Sequence, residues 1–112
     1  MSRVVISGRP PKSNIEVNTI PKGAEPLGYE QLAVSTSAVG LNIPTNANMA
    51  LIICEDATTR WRDDGTSPTA SVGMTLWQNQ SIQFNGEDSL NAVEFIRTAS
   101  TDANLSISYY KY

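Results

Sequence analysis

The chain has 112 residues, a formal net charge of −3 and no histidine. This length predicts one domain with a modest core. The acidic balance argues against general nucleic-acid binding. The lack of histidine excludes His-based catalytic triads, imidazole acid–base catalysis and His-metal sites. We therefore expect a structural or binding protein without catalytic residues, metal or cofactor.

The first 28 residues are rich in proline and glycine, which remove backbone donors and loosen the chain. They predict an extended N-terminal arm, with an apolar anchor at residues 4–6 and a short strand at residues 15–17. Residues 1–23 carry four basic side chains against Glu16 alone, a net charge of +3, whereas residues 24–112 carry −6. A basic arm on an acidic body suits tethering to an acidic surface, although a solvated tail is the alternative. The predicted partner-binding residues of the arm are Arg3, Arg9, Lys12 and Lys22.

From residue 29 onward, short apolar stretches alternate with spacers rich in turn-forming residues. Seven or eight short strands at roughly ten-residue intervals are typical of an all-β sandwich or barrel. We predict a single antiparallel β-sandwich, jelly-roll-like, over residues 29–112, with residues 1–28 as its arm. The predicted strands cover residues 32–34, 41–43, 49–54, 58–62, 70–76, 82–84, 92–96 and 105–109.

Three of these segments carry further expectations. The continuous apolar run at residues 49–54 predicts a strand covered on both faces, with Cys54 as a small buried hydrophobe. Residues 85–88 read as a turn before the strand at residues 92–96. In the last strand, alternation turns Tyr109 inward and leaves Tyr110 and Tyr112 outward, where they can contact the arm or another subunit.

Charged and aromatic side chains are most concentrated between residues 60 and 69. Arg60 and Arg62 share one strand face, with Trp61 on the other, and Pro68 lengthens the loop that follows. One interpretation is an internal lock, in which an arginine fork binds a loop carboxylate and the indole is buried. The other is a contact surface, because Trp and Arg are frequent interface hot spots. Both stay open for the site residues Arg60, Trp61, Arg62, Asp63, Asp64 and Gly65.

Other chemistries are less well supported. A calcium site would use the carboxylates at positions 55, 56, 63 and 64, but the spacing of a calcium loop is missing. Paired carboxylates could hydrolyse a glycoside, yet the short chain leaves little room for a sugar cleft. Trp77 at a strand end is expected to seal the core. No apolar run is long enough to span a bilayer, and the N-terminus has no signal-peptide core, so we expect synthesis in the cytosol.

Several stretches resemble a family of small proteins encoded in the structural gene clusters of tailed phages. They are Val39-Gly40-Leu41, Ala50-Leu51-Ile52-Ile53, Arg60-Trp61-Arg62-Asp63-Asp64-Gly65-Thr66, Pro68-Thr69-Ala70-Ser71-Val72-Gly73-Met74, Phe95-Ile96-Arg97 and Leu105-Ser106-Ile107-Ser108-Tyr109-Tyr110. The similarity covers about residues 30–110, and its specific part is the Arg-Trp-Arg-Asp-Asp-Gly-Thr motif. It implies a virion component, without a position in head, neck or tail.

On this basis we expect a capsid decoration (cement) protein, a homo-oligomer assembled into the virion in the host cytoplasm. Its partners would be the major capsid protein or other virion proteins, with no nucleic acid and no membrane. One alternative is a neck, tail or fibre-adaptor subunit. Another is a carbohydrate-binding module that uses Trp61 or Trp77 as a stacking platform.

Overall fold

The structure, a computed structural model, describes residues 20–112. Arg3, Arg9, Lys12 and the strand predicted at residues 15–17 lie outside the described residues. The described chain is nearly all β, as predicted, with one short helix. Its elements are β1 (Glu25–Val34), β2 (Val39–Gly40), β3 (Met49–Glu55), β4 (Thr59–Arg62), β5 (Met74–Leu76), β6 (Ser81–Asn85), α1 (Glu87–Ala92), β7 (Glu94–Arg97) and β8 (Ala103–Lys111).

The strands form two four-stranded antiparallel sheets. Sheet 1 has the order β1-β8-β3-β6 and sheet 2 has the order β2-β7-β4-β5. Each strand of the first half therefore pairs with its counterpart in the second half: β1 with β8, β2 with β7, β3 with β6 and β4 with β5. A ribbon of four such pairs, wrapped into two facing sheets, is the jelly roll. The predicted jelly-roll-like sandwich is confirmed.

The core lies between the sheets because the strands alternate apolar and polar side chains. In β8, Leu105, Ile107 and Tyr109 are buried while the serines between them are partly exposed. In the register, Leu105 lies opposite both Leu32 and Cys54, so one apolar layer crosses three strands. Burying a side chain of this size contributes about 2 kcal/mol. The predictions for Cys54 and Tyr109 are confirmed.

Aromatic side chains join the two sheets. Phe84 of sheet 1 meets Trp61 of sheet 2 edge to face, with ring centroids 5.0 Å apart. Phe84 also meets Phe95 of sheet 2 edge to face at 6.4 Å. Edge-to-face pairs add a modest attraction beyond the area that they bury. Trp61 thus points into the sandwich, on the opposite face of β4 from its two arginine neighbours.

A polar cluster closes one side of the core. Glu30 accepts hydrogen bonds from the Tyr109 hydroxyl at 2.5 Å and from the backbone N–H of Asn42 at 3.1 Å. The Asn42 side-chain amide donates a third bond at 3.0 Å. Burial, and then the hydrogen bond to the Glu30 carboxylate, raise the pKa of Tyr109 well above its ordinary value. The phenol therefore stays protonated and ties β8 to β1, while Glu30 also ties the segment after β2 to β1.

Three strand predictions are wrong in detail. The strand predicted at residues 41–43 is not formed, because β2 is Val39–Gly40 and the chain that follows is irregular. The run at residues 49–54 is not covered on both faces, because Ile53 is 39% exposed and Leu51 only partly buried on the outer face of sheet 1. Met49, at the start of the strand, is buried on the same face, so the continuous apolar run marks two-sided burial only at that end. Of the extended segment predicted at residues 70–76, only Met74–Leu76 is a strand, and Gly73 lies just before it.

The turn predicted at residues 85–88 is replaced by helix α1. Gly86 enters the helix with φ 105, and Glu87 and Asp88 occupy its first turn, where carboxylates favour a helix N-terminus. Leu90 anchors the helix in the core with 1% exposure. The following strand is confirmed in Glu94–Arg97, because Val93 leaves the helix with extended backbone. β1 begins at Glu25, so the sandwich starts four residues before the predicted boundary at residue 29.

Candidate functional site

The motif of residues 60–65 lies at the end of β4 and in the loop that follows. The register places Arg60 opposite Ile96 and Arg62 opposite Glu94, all on the outer face of sheet 2. The prediction that the two arginines share a face is therefore confirmed. Residues 63–73 then connect β4 to β5 and return over this outer face.

Arg60 is the main anchor of the loop. Its guanidinium donates to the carbonyl oxygens of Ala70 (3.2 Å) and Gly73 (2.9 Å) and to the hydroxyl of Thr75 (3.0 Å). Three bonds from one planar cation fix both the far side of the loop and the start of β5. Arg60 thus anchors the loop through backbone carbonyls, which is a different contact from the arginine–carboxylate lock predicted from the sequence.

Arg62 forms the carboxylate fork that the sequence predicted. Its Nε donates to Asp64 Oδ1 at 3.1 Å, and a terminal nitrogen donates to Oδ2 of the same carboxylate. The hydrogen bond from Arg62 is the main reason that the pKa of Asp64 lies below its ordinary value. Because the pair spans two residues and is open to solvent, it shapes the turn locally and contributes less to the fold than Arg60.

Further contacts hold the rest of the loop on the sheet. Ser67 donates to Glu94 at 2.6 Å, and Pro68 is buried. A Cβ built on Gly73 would lie 3.2 Å from the Cβ atoms of Arg60 and Pro68. Ile96 is only 9% exposed although it lies on the outer face. The loop therefore covers sheet 2 closely, and glycine at position 73 permits that approach.

Beside this loop is an open groove of about 470 Å³. Its apolar wall includes Val72 and Met74, which are 52% and 60% exposed, together with Trp61. Asp63, Asp64 and Arg62 supply its charged rim. Nothing in the sequence singled out Val72, Met74 or Glu94, since their roles depend on the pairing of β4 with β5 and β7. The groove can hold an apolar segment that carries a positive charge.

The other predicted contact residues meet at one end of sheet 1. Pro26 lies opposite Tyr110 in the register, so the chain enters β1 beside the end of β8. Tyr112 is 68% exposed, and its backbone is held by the side chain of Asn48 through bonds of 3.0 and 2.9 Å. Lys22 is exposed in the turn before β1. Lys22, Tyr110 and Tyr112 thus lie toward the same end of sheet 1, and their role in binding stays a prediction.

Trp77 does not seal the core, contrary to the prediction. Its side chain is 60% exposed in the tight turn from β5 to β6. The turn is held by the backbone instead, through a bond from Gln80 N–H to the Trp77 carbonyl at 3.0 Å. Leu76, one residue earlier, is buried at 3% exposure and takes the sealing position. Because Leu76 points inward, the alternation of a strand turns Trp77 to the opposite, outer side.

Residues 20–112 contain neither a metal-ligand cluster nor a membrane-spanning helix. No group of three or more His, Cys, Asp or Glu side chains there is arranged to hold a metal ion. Within the same residues, no helix has the length and apolar character needed to cross a membrane.

Comparisons with protein-family models, curated proteins and solved structures find no match to the chain. The resemblance to phage structural proteins therefore depends on the quoted residues alone.

Proposed function

We propose that the protein is a structural component of a tailed-phage virion, acting as a decoration protein on the capsid. The observation that carries the proposal is the strand order, since the jelly roll is a recurrent architecture of viral capsid domains. Lectins and cupins share this architecture. The chain has no histidine among its 112 residues, so it cannot form a metal site that uses imidazole ligands.

The mechanism is preferential binding to the assembled shell. A protein that binds the lattice, and not free subunits, stabilises the lattice by its binding free energy. Many copies on a symmetric shell add avidity. The basic residues before β1 and the neighbouring Tyr110 and Tyr112 would contact the acidic surface of the shell. The pinned loop at residues 63–73 keeps the sandwich rigid, which lowers the entropy lost on docking.

The test is co-sedimentation of the purified protein with shells of the phage that carries its gene. We expect saturation at a fixed copy number per shell and no binding to unassembled capsid subunits. Binding that never saturates, or that is equal for free subunits, would refute decoration. Binding to isolated necks or tails in place of shells would favour the alternative of a neck, tail or adaptor subunit.

One observation favours a second candidate, a carbohydrate-binding module. Trp77 presents an exposed indole, and aromatic faces are common sugar platforms. Trp61 is only partly exposed and packs edge to face with Phe84, so Trp77 is the better platform. A glycan array with the wild-type protein and a Trp77→Ala variant decides this: selective binding that is lost in the variant would promote this function, and a blank array removes it.

A further inference from the structure

The outer face of sheet 1 carries almost no charge. The pairing register arranges its side chains in rows that run across all four strands. One row consists of Tyr29, Ser108, Leu51 and Gln83, and the next consists of Gln31, Ser106, Ile53 and Ser81. In the described strands of sheet 1, Glu55 is the only charged residue on this face.

The middle of this face is open to solvent. Tyr29 is 63% exposed and Ile53 is 39% exposed, with the partly buried Leu51 beside them. The outer face of sheet 2 is different, because loop 63–73 covers it and Arg60 binds that loop. Uncharged residues with an exposed tyrosine among them are typical of the core of a protein–protein interface, where charged residues are depleted.

Tyr29 is held in one position on this face. It lies opposite Ser108 in the register, and its hydroxyl donates to Ser106 Oγ at 3.2 Å. The ring therefore lies against β8. An aromatic side chain that is already ordered loses little conformational entropy when a partner covers it.

Large and small side chains alternate across the two middle strands. β8 contributes Ser106 and Ser108, whereas its neighbour β3 contributes Leu51 and Ile53. A two-fold axis that runs parallel to the strands, between β8 and β3, places β8 of one copy over β3 of the other. Each aliphatic side chain then meets a serine, so that the two layers can interdigitate. Both copies use the same patch, as an isologous dimer requires.

The charges of the body also favour a second copy on this face. Residues 24–112 carry a net charge of −6, so two copies repel each other wherever acidic surfaces meet. On the outer face of sheet 1 the same two-fold axis brings Asn104 over Glu55, because these residues are paired in the register. The carboxylate then faces an amide donor and not a second carboxylate.

The size of the face sets the strength of the contact. Four strands at ~4.8 Å spacing and six residues at ~3.3 Å each give a face of about 19 by 20 Å. Two copies would bury roughly 800 Å², which is below the ~1,200 Å² of most stable complexes. We therefore expect a reversible dimer whose fraction rises with concentration.

We propose that two copies of this chain pack the outer faces of sheet 1 against each other about a two-fold axis parallel to the strands. Leu51 and Ile53 of each copy would pack on β8 and on the Tyr29 ring of the other. This axis also directs the Lys22 and Tyr112 ends of both copies to the same side. The contact joins copies of this chain and not the chain to a shell, so it holds or fails independently of the virion role.

Sedimentation equilibrium of the full-length protein tests the dimer. Between about 1 μM and 1 mM, the mean mass should rise from that of one chain toward that of two. A wild-type protein that stays monomeric over this range would overturn the proposal.

Ile53→Lys tests the face. The variant dimer would bury two unpaired lysines, which should weaken association at least about tenfold. Val72→Lys is the matched control, because it makes the same change of net charge at an apolar residue that is 52% exposed outside sheet 1. It should dimerise like the wild type. If both variants dimerise equally well, or Val72→Lys is the weaker, the dimer does not use this face.

A mixture of two variants tests the axis. Ser106→Glu alone should also weaken association, but Ile53→Lys mixed with Ser106→Glu should form a heterodimer several-fold tighter than either variant with itself. The heterodimer contains one lysine–glutamate pair and one wild-type contact, because this axis places residue 53 of one copy over residue 106 of the other. Such a rescue also shows that both variants are folded. If the mixture is no tighter than the single variants, the proposed packing is wrong.

Discussion

Arg60 and Arg62 stand two residues apart on one strand face but make different contacts. Arg60 bonds two carbonyls and a hydroxyl across the loop, while Arg62 bonds a carboxylate two residues away. The sequence predicted an arginine lock in this place. The arginine–carboxylate pair is Arg62 with Asp64. The sequence could not predict the anchoring role of Arg60, because that role depends on where the returning backbone of residues 70–73 lies.

Arg60→Ala should therefore destabilise the fold clearly more than Arg62→Ala. Its loss leaves carbonyls of the loop without their donor, which costs about 2 kcal/mol of the free energy of unfolding. Urea titration of both variants measures the difference. Arg60→Lys keeps the charge without the planar fork and should recover only a small part of the loss. Equal effects of the two alanine variants would contradict the assignment of the anchor.

Gly73 should resist substitution more than Gly65. Both have positive φ, 145 at Gly73 and 88 at Gly65. A Cβ at position 73 would lie 3.1 Å from the Trp61 carbonyl, whereas a Cβ at position 65 meets nothing within 4 Å. Gly65→Ala should thus cost only the backbone strain, about 1 kcal/mol. Gly73→Ala should cost more, about 3 kcal/mol, because the loop must also move. Thermal unfolding of the two variants measures the difference. Equal melting temperatures for Gly65→Ala and Gly73→Ala would contradict this prediction.

At the scale of elements, the alternating strands were the most predictable part. β8 repeats every two residues without interruption, so its buried set followed from the sequence. The burial of β3 was predicted wrongly, because a continuous run of apolar residues has no alternation that would show that Ile53 faces solvent. α1 was missed because its six residues contain one buried anchor, Leu90, too few to set a helical period. β5 is short because the loop that ends at Gly73 delays its start to Met74.

Loops between elements should also give the stability a pH dependence. Asp102, between β7 and β8, accepts hydrogen bonds from Ser35 Oγ at 2.9 Å and from Arg97. These bonds, that of Ser35 first, lower the pKa of Asp102. A lowered pKa means that the folded state favours the carboxylate, so this stabilisation is present above the ordinary pKa of about 4. It is lost as the pH falls through the lowered value.

Asp102→Asn should accordingly be less stable than wild type at pH 7 and equally stable near pH 2. Urea titrations at several pH values measure the gap. Ser35→Ala is the matched control: it removes the first donor and should show a smaller gap that closes over the same range. A gap that stays constant with pH would show that the charge of Asp102 is not involved.

For the whole molecule, the spacing of short strands predicted a sandwich, but the order of the strands could not be read from the chain. The order follows from the ribbon pairs, such as β1 with β8, whose partners are up to 86 residues apart. The predicted boundary between arm and sandwich also lies too far along the chain, because Pro26 and Gly28 are untypical of a strand and hide the start of β1. Edge position explains this, since an edge strand tolerates proline.

Deletion of residues 2–19 should leave the free energy of unfolding within about 0.5 kcal/mol of wild type, because the whole sandwich remains. Deletion of residues 2–28 should lower it by at least about 2 kcal/mol, because it removes the start of β1 and Leu27, which packs on the core. Urea titration separates the two. If the shorter deletion is as damaging as the longer one, the leader is part of the fold and cannot act as a separate tether.

We propose that this jelly roll is a passive component bound to an assembled particle. A density map of virions purified from the source of the gene would test this role. We expect the two four-stranded sheets on the outer surface of the shell, repeated at fixed lattice positions, with the basic leader running toward neighbouring subunits. A complete particle in which neither the shell nor the neck nor the tail contains this sandwich would contradict it.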